Sequence, residues 1–305
     1  MPSGVHLPSL LDFSVACLTL VSILPGGNSH GRWQWAGRVT VSGVVLAALL
    51  LILIVASLYL FVAKPYWFPV LASVHGGSID SLFSTVLVVS GIVFIIVQGM
   101  LGFFVARYGQ SGNERASYWH DNPKAEAILL ISTAVILTIL VFMGQRVWAS
   151  IYFVDAPADA LVIQVTGEQF SWNFHYPGPD GAFGRTDPKM ITSANNIGLD
   201  RSDPPAKDDI VTVGEMHVLA GRPVKVRIRS KDVIHSFFLP NLRVKQDAVP
   251  GMAIEVWFTP NRPGAYEIAC AELCGLAHYR MRGFLTIDDS QENFNKWLQQ
   301  KAAEQ

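Results

Sequence analysis

AILLISTAVILTILVFMGQ (127–145) carries no charge, and past Trp148 the chain changes character, with apolar positions alternating in LVIQV (161–165). The first stretch has the length of roughly 20 residues needed to cross a ~30 Å hydrocarbon layer, and there the backbone must satisfy itself as a helix. The second has the period of two that marks a half-buried strand. Between them the chain passes from a membrane anchor to a water-soluble β domain.

Upstream, residues 39–63 and 81–106 are likewise uncharged. They give three predicted transmembrane helices at 39–63, 81–106 and 127–147, preceded by a cytoplasmic or interfacial segment, 1–38. Within that segment 7–24 is apolar, but Asp12 interrupts it and no basic stretch precedes it, so it is not read as a signal peptide. Arg32 and Arg38 precede the first span, and Arg107, Arg115 and Lys124 lie between the second and third. The loop between the first and second holds only Lys64. Positive charge stays inside, which sends everything after Trp148 to the outer side.

Downstream, Val224, Val226 and Ile228 alternate with Lys225, Arg227 and Arg229. Ile254, Val256 and Phe258 repeat the pattern, as do Tyr266 with Ile268 and Leu285 with Ile287, while Pro-Gly pairs at 177, 250 and 263 punctuate them. Short strands without intervening helical patterns predict an all-β sandwich or small barrel over 151–288. Residues 178–209, rich in Gly, Pro and Asp, read as a long surface loop. Asp288 and Asp289 are candidate caps for a C-terminal helix over 289–305, with Phe294, Trp297 and Leu298 on its apolar face.

Half of the 305 residues are hydrophobic, 15% are charged, and the net charge is −1, which gives no support for nucleic-acid binding. The three cysteines are Cys17, read as a plain buried thiol, and the close pair Cys270 and Cys274.

That pair opens the chemically decisive segment, Cys270-Ala-Glu-Leu-Cys274-Gly-Leu-Ala-His278-Tyr-Arg-Met281. His235 lies upstream in Val-Ile-His235-Ser-Phe-Phe. Each residue alone has an ordinary reading, as a core histidine, a core methionine or a small disulfide. Two thiols, two imidazoles and a thioether together are the soft-to-borderline set that suits copper, and zinc rarely takes methionine.

The pattern resembles the subunit II family of haem–copper oxidases over roughly 81–298. Further marks are Lys245-Gln-Asp247-Ala-Val-Pro250-Gly251 and Gly167-Glu-Gln-Phe170-Ser-Trp172. The resemblance implies a cupredoxin-like Greek-key barrel holding a binuclear copper centre, CuA. In it Cys270 and Cys274 bridge two copper ions, His235 and His278 bind one each, and Met281 and the Glu272 carbonyl are weak axial ligands. It also implies a Mg²⁺ held by the Glu272 carboxylate and shared with subunit I, and electron entry at Trp172 or at Phe170, which replaces the usual Trp. Glu126 then marks the cytoplasmic mouth of a proton path. Expected partners are oxidase subunits I and III and a cytochrome c, with the chain in the bacterial cytoplasmic membrane and its copper domain on the periplasmic side. No Cys-x-x-Cys-His is present, so the donor is a separate protein. It is expected to dock on the acidic residues Asp180, Asp187, Asp200, Asp203, Asp208 and Asp209. A copper-bearing component of a nitric oxide or nitrous oxide reductase, or a membrane-anchored copper-delivery protein, remains an alternative.

Overall fold

The computed structural model describes residues 43–63, 68–108 and 121–305. The segment 1–38 with Cys17, and the loop charges Lys64 and Arg115, lie outside them. Three helices, α1 (Gly43–Val62), α2 (Gly76–Tyr108) and α3 (Pro123–Tyr152), are each long and apolar enough to cross a membrane.

The second and third are longer than their uncharged cores. α3 has 30 residues, about 45 Å at 1.5 Å per residue, and carries Lys124, Glu126 and Arg146 beyond the apolar run. Hydropathy detects only the part that lipid must cover; the helical hydrogen bonds continue into water. Asn122 caps α3, its side-chain oxygen accepting from the Ala125 N–H at 3.2 Å.

The head is an all-β, two-sheet sandwich of cupredoxin type. Its strands are β1 (Leu161–Glu168), β2 (Ser171–Tyr176), β3 (Ile210–Val213), β4 (Glu215–Leu219), β5 (Val224–Ser230), β6 (His235–Leu239), β7 (Val244–Ala248), β8 (Ile254–Phe258), β9 (Gly264–Cys270) and β10 (Arg282–Asp288). One sheet has the order β3-β2-β1-β5-β8 and the other β4-β10-β9-β6-β7. The pairs β1–β5 and β4–β10 are parallel, and the remaining pairs are antiparallel. Ile163, Val165, Val226, Ile228, Phe237, Ile268 and Leu285 fill the space between the sheets.

A C-terminal helix, α4 (Gln291–Ala303), closes one side, burying Phe294 and Trp297. Its cap is Ser290 rather than Asp288 or Asp289. The Ser290 hydroxyl accepts from the Asn293 N–H, while Asp288 ends β10 and faces His217 at 3.0 Å.

The head is tied to the anchor by the segment between α1 and α2. The Ala72 N–H donates to the Asn241 carbonyl at 2.8 Å, and the Val74 N–H to that of Thr259 at 3.0 Å. The Arg243 guanidinium grips Asp80 of α2 through two bonds of 2.8 and 2.9 Å. A bidentate pair of this kind holds orientation as well as charge.

Residues 177–209, between β2 and β3, are a packed insertion rather than a loose surface loop. Leu199, Asp200, Ala206 and Asp209 are buried in it. The Asp209 carboxylate accepts from the Gly184 N–H and meets His175 Nε2, both at 2.7 Å. Arg201 bonds the Ala206 and Asp209 carbonyls, at 2.7 and 3.0 Å.

Candidate metal centre

Strand pairing brings the sequence-distant donors together. His235 opens β6 and Cys270 closes β9, and the two strands pair with Phe237 opposite Cys270. The Ala271 N–H donates to the Ser236 carbonyl at 3.0 Å, and the Cys270 N–H to that of Met281 at 3.1 Å. The loop 271–281 between β9 and β10 is therefore pinned at both ends.

Within this frame each thiol has its own set of neighbours. Cys270 Sγ lies 3.9 Å from His235 Nδ1 and 3.2 Å from the Glu272 carbonyl oxygen. Cys274 Sγ lies 3.6 Å from His278 Nδ1 and 3.6 Å from Met281 Sδ. The two sulfurs are 3.8 Å apart and unbridged. Donor atoms bound at about 2.0–2.3 Å to one first-row ion sit at roughly such mutual separations. All six expected ligands are gathered here, in two halves that share the sulfurs, and the set fits a soft metal pair.

The electrostatics suit this use. Burial raises the Cys270 thiol, but bonding to His235 and to the backbone at Ser236 and Glu272 brings it down to about 6. Burial pushes the Cys274 thiol up to about 11, with the charge on Cys270 adding to the effect. One thiolate forms readily, and the second proton is held until a cation displaces it. Burial alone would lower His235, yet its contacts with Cys270 and Asp232 raise it.

Two supporting residues went unread in the sequence. Asp232 Oδ1 lies 2.8 Å from His235 Nε2, so that Nδ1 is the nitrogen turned toward Cys270. The Gln169 backbone N–H donates to Asp232 Oδ2 at 2.7 Å, and its side-chain amide donates to the Cys274 carbonyl at 2.5 Å. A carboxylate three residues before a candidate ligand was the available signal for Asp232. Gln169 is a neighbour only in space.

The other expected site residues are spread out. Trp172 is fully buried on β2, its ring edge-to-face with His235 at 5.9 Å and Phe237 at 5.3 Å. Phe170 is half-buried and lies against the ligand loop. At Gly275, with φ of +138°, a Cβ would meet Gln169 Nε2 at 2.7 Å and the Phe170 ring at 3.1 Å. Glycine is therefore needed there on grounds of both space and backbone. The Glu272 carboxylate is exposed. Glu126 sits in the first turn of α3, at the end of that helix remote from the head.

Two of the six expected docking carboxylates, Asp200 and Asp209, are buried, while Asp180 is exposed and Asp187, Asp203 and Asp208 are half-buried. Asp209 is buried against His175, and the Asp200 carboxylate is buried and bonded to Arg185 at 2.5 Å. Asp203 accepts from the Arg185 N–H, and Asp187 from that of Lys189. These carboxylates hold the insertion together. The surface beside the cysteines exposes Leu273, Leu276 and Tyr279, at 78%, 99% and 84%, together with Glu272 and Arg280.

Residues 161–286 match the family model described as cytochrome c oxidase subunit II, periplasmic domain. The alternative cytochrome c oxidase subunit 2 of Bradyrhizobium diazoefficiens is 36% identical over 259 residues, covering 85% of this chain and 92% of that protein. Cytochrome c oxidase subunit 2 of Cereibacter sphaeroides is 28% identical over 228 residues, covering 70% and 73%. Among solved structures, the periplasmic domain of cytochrome oxidase subunit II of Bradyrhizobium japonicum is 28% identical. It covers 48% of this chain and 97% of its own, with a TM-score of 0.36.

Proposed function

Because the chain belongs to the cytochrome c oxidase subunit II family, we propose that it is the electron-entry subunit of a bacterial respiratory oxidase. It accepts single electrons from a cytochrome c on the periplasmic side of the cytoplasmic membrane and passes them to subunit I. There oxygen is reduced to water with proton translocation, a reaction the chain does not perform alone. The observation that carries the reading is the division of donors around the two sulfurs. Cys270 has His235 and the Glu272 carbonyl beside it, and Cys274 has His278 and Met281.

Cys270 and Cys274, with His235, His278, Met281 and the Glu272 carbonyl, would hold a copper pair, which would supply one-electron transfer with little rearrangement. The protein's part is to hold six donors on paired strands, exclude water from the buried sulfurs, and leave one face open. That face is the apolar rim of Leu273, Leu276 and Tyr279, where a donor with a weakly charged contact surface fits. Half-buried Phe170 is the surface aromatic of this route, and buried Trp172 backs His235 from within. We assign the exposed Glu272 carboxylate to a Mg²⁺ at the boundary with subunit I, a hard ligand for a hard ion. Glu126 is assigned to the cytoplasmic entrance of a proton path. The oxidase relatives favour oxygen over nitrogen oxides as the terminal acceptor, and the three-helix anchor argues against a simple copper carrier.

The test is metal analysis with electron paramagnetic resonance on the purified full chain. Two coppers per chain with one unpaired electron shared equally between them are expected. A single blue copper, or zinc bound in preference to copper, would overturn the reading.

A further inference from the structure

The segment 168–170 does more than present an aromatic edge. From one residue, Gln169, bonds run to both halves of the ligand set. Its backbone N–H holds Asp232, whose other oxygen faces His235 Nε2, and its side chain holds the Cys274 carbonyl. Asp232 is fixed further by the Val233 N–H, at 2.7 Å to Oδ1. Glu168, on the other side, is paired with Lys231, so the segment is anchored next to Asp232 as well. Phe170 lies over Gly275, immediately after Cys274.

We propose that Gln169 and Asp232 form a positioning clamp for the copper pair, fixing His235 through its outer nitrogen and the Cys274 half through its carbonyl. The inference rests on the copper reading above. Asp232 accepts the proton-bearing nitrogen of His235, which sets the tautomer and makes Nδ1 a better electron donor. A more strongly donating imidazole favours the oxidised, more positive metal pair, so the carboxylate lowers its potential. Gln169 sets where the Cys274–Gly275 peptide lies, and with it the contact between Phe170 and the ligand loop. The edge that meets a donor and the frame that holds the metal are thereby one hydrogen-bonded unit.

The experiment uses the purified oxidase complex carrying wild type, Asp232→Asn, Asp232→Glu or Gln169→Ala. Copper content, resonance hyperfine splitting and midpoint potential are read for each. Asp232→Asn is expected to keep the copper pair with a raised potential, altered hyperfine splitting and about 10–100-fold weaker retention against a chelator. Asp232→Glu, which keeps the carboxylate, is expected to restore part of each. Gln169→Ala is expected to alter the hyperfine splitting and to slow reduction by a protein donor several-fold more than reduction by a small soluble reductant. Wild-type potential and splitting in Asp232→Asn, or equal donor rates in Gln169→Ala, would overturn the clamp. Loss of copper from both Asp232 variants would make that residue a folding element and would also overturn it. Absence of copper from the wild-type complex would refute the copper reading instead.

Discussion

Two connections leave the same β-sandwich and are held by opposite means. The loop 271–281 joins neighbouring strands β9 and β10, is pinned by backbone bonds to Ser236 and Met281, and turns its polar donors inward and its leucines outward. The insertion 177–209 joins β2 to β3 and turns carboxylates inward, onto His175, Arg185 and backbone N–H groups. The difference teaches that a cluster of acidic residues need not be a surface for a partner. Asp and Asn side chains are good acceptors for the backbone of irregular segments, and here Asp200 and Asp209 are buried in that use. The functional loop is the one that exposes large apolar residues, Leu273, Leu276 and Tyr279, beside Glu272 and Arg280.

The contrast can be broken at several points. Replacing Cys274 by Ser should abolish the metal pair altogether, read as loss of copper and of the shared-electron spectrum, with the β fold retained by circular dichroism. Retention of a two-copper spectrum would show that the sulfur is not a bridge.

Asp209→Ala leaves the buried His175 Nε2 and the Gly184 N–H without their acceptor and should destabilise the head by about 1–3 kcal/mol, measured by denaturant unfolding. The copper spectrum should persist at low denaturant, because the insertion does not reach the ligand frame. Simultaneous loss of both would mean that the two connections are one unit.

Met281→Leu should keep both coppers and shift their potential, since an axial thioether tunes the site more than it holds it. Complete loss of metal in this variant would reverse that ranking. Leu276→Asp should slow electron entry from a protein donor by about 5- to 10-fold, while Asp187→Asn should leave the rate unchanged across a salt series. The opposite pattern would restore the acidic insertion as the landing surface.

The smallest effect concerns pH. The Arg185 guanidinium and Ser202 hold Asp200 down to about 2, below its ordinary value of 3.8. A depressed carboxylate contributes stability above its unfolded value and loses it as pH falls from about 4 toward 2. Arg185 is largely solvent-exposed, so screening keeps the effect modest. Protection factors for amide hydrogen exchange within 185–203 should fall over that window and stay constant between pH 5 and 8.

Much of this was legible because the physics is local. A helix in lipid has no other way to satisfy its backbone, so uncharged runs alone announce the anchor, although not how far α2 and α3 extend beyond it. Strands with one wet face, such as β5 and β10, show their period of two. β6 does not, because HSFFL is buried almost throughout, whereas β2 keeps the alternation in SWNFHY although both its faces are buried. The candidate ligands within 270–281 could be read from spacing, since a short loop keeps its residues together whatever the fold.

By itself, then, the sequence determined the anchor, the β class of the head and the kind of donors available, each of which depends on neighbours a few residues away. Only the tertiary structure decided the rest. It set His235 beside Cys270 through the pairing of β6 with β9, and it buried two of the insertion's carboxylates, Asp200 and Asp209. It also buried Trp172 while leaving Phe170 at the rim, and it brought Gln169 onto both ligand sets. These are contacts between residues 35 to 105 positions apart, and the free energy that selects them comes from packing two sheets face to face, which no local pattern encodes.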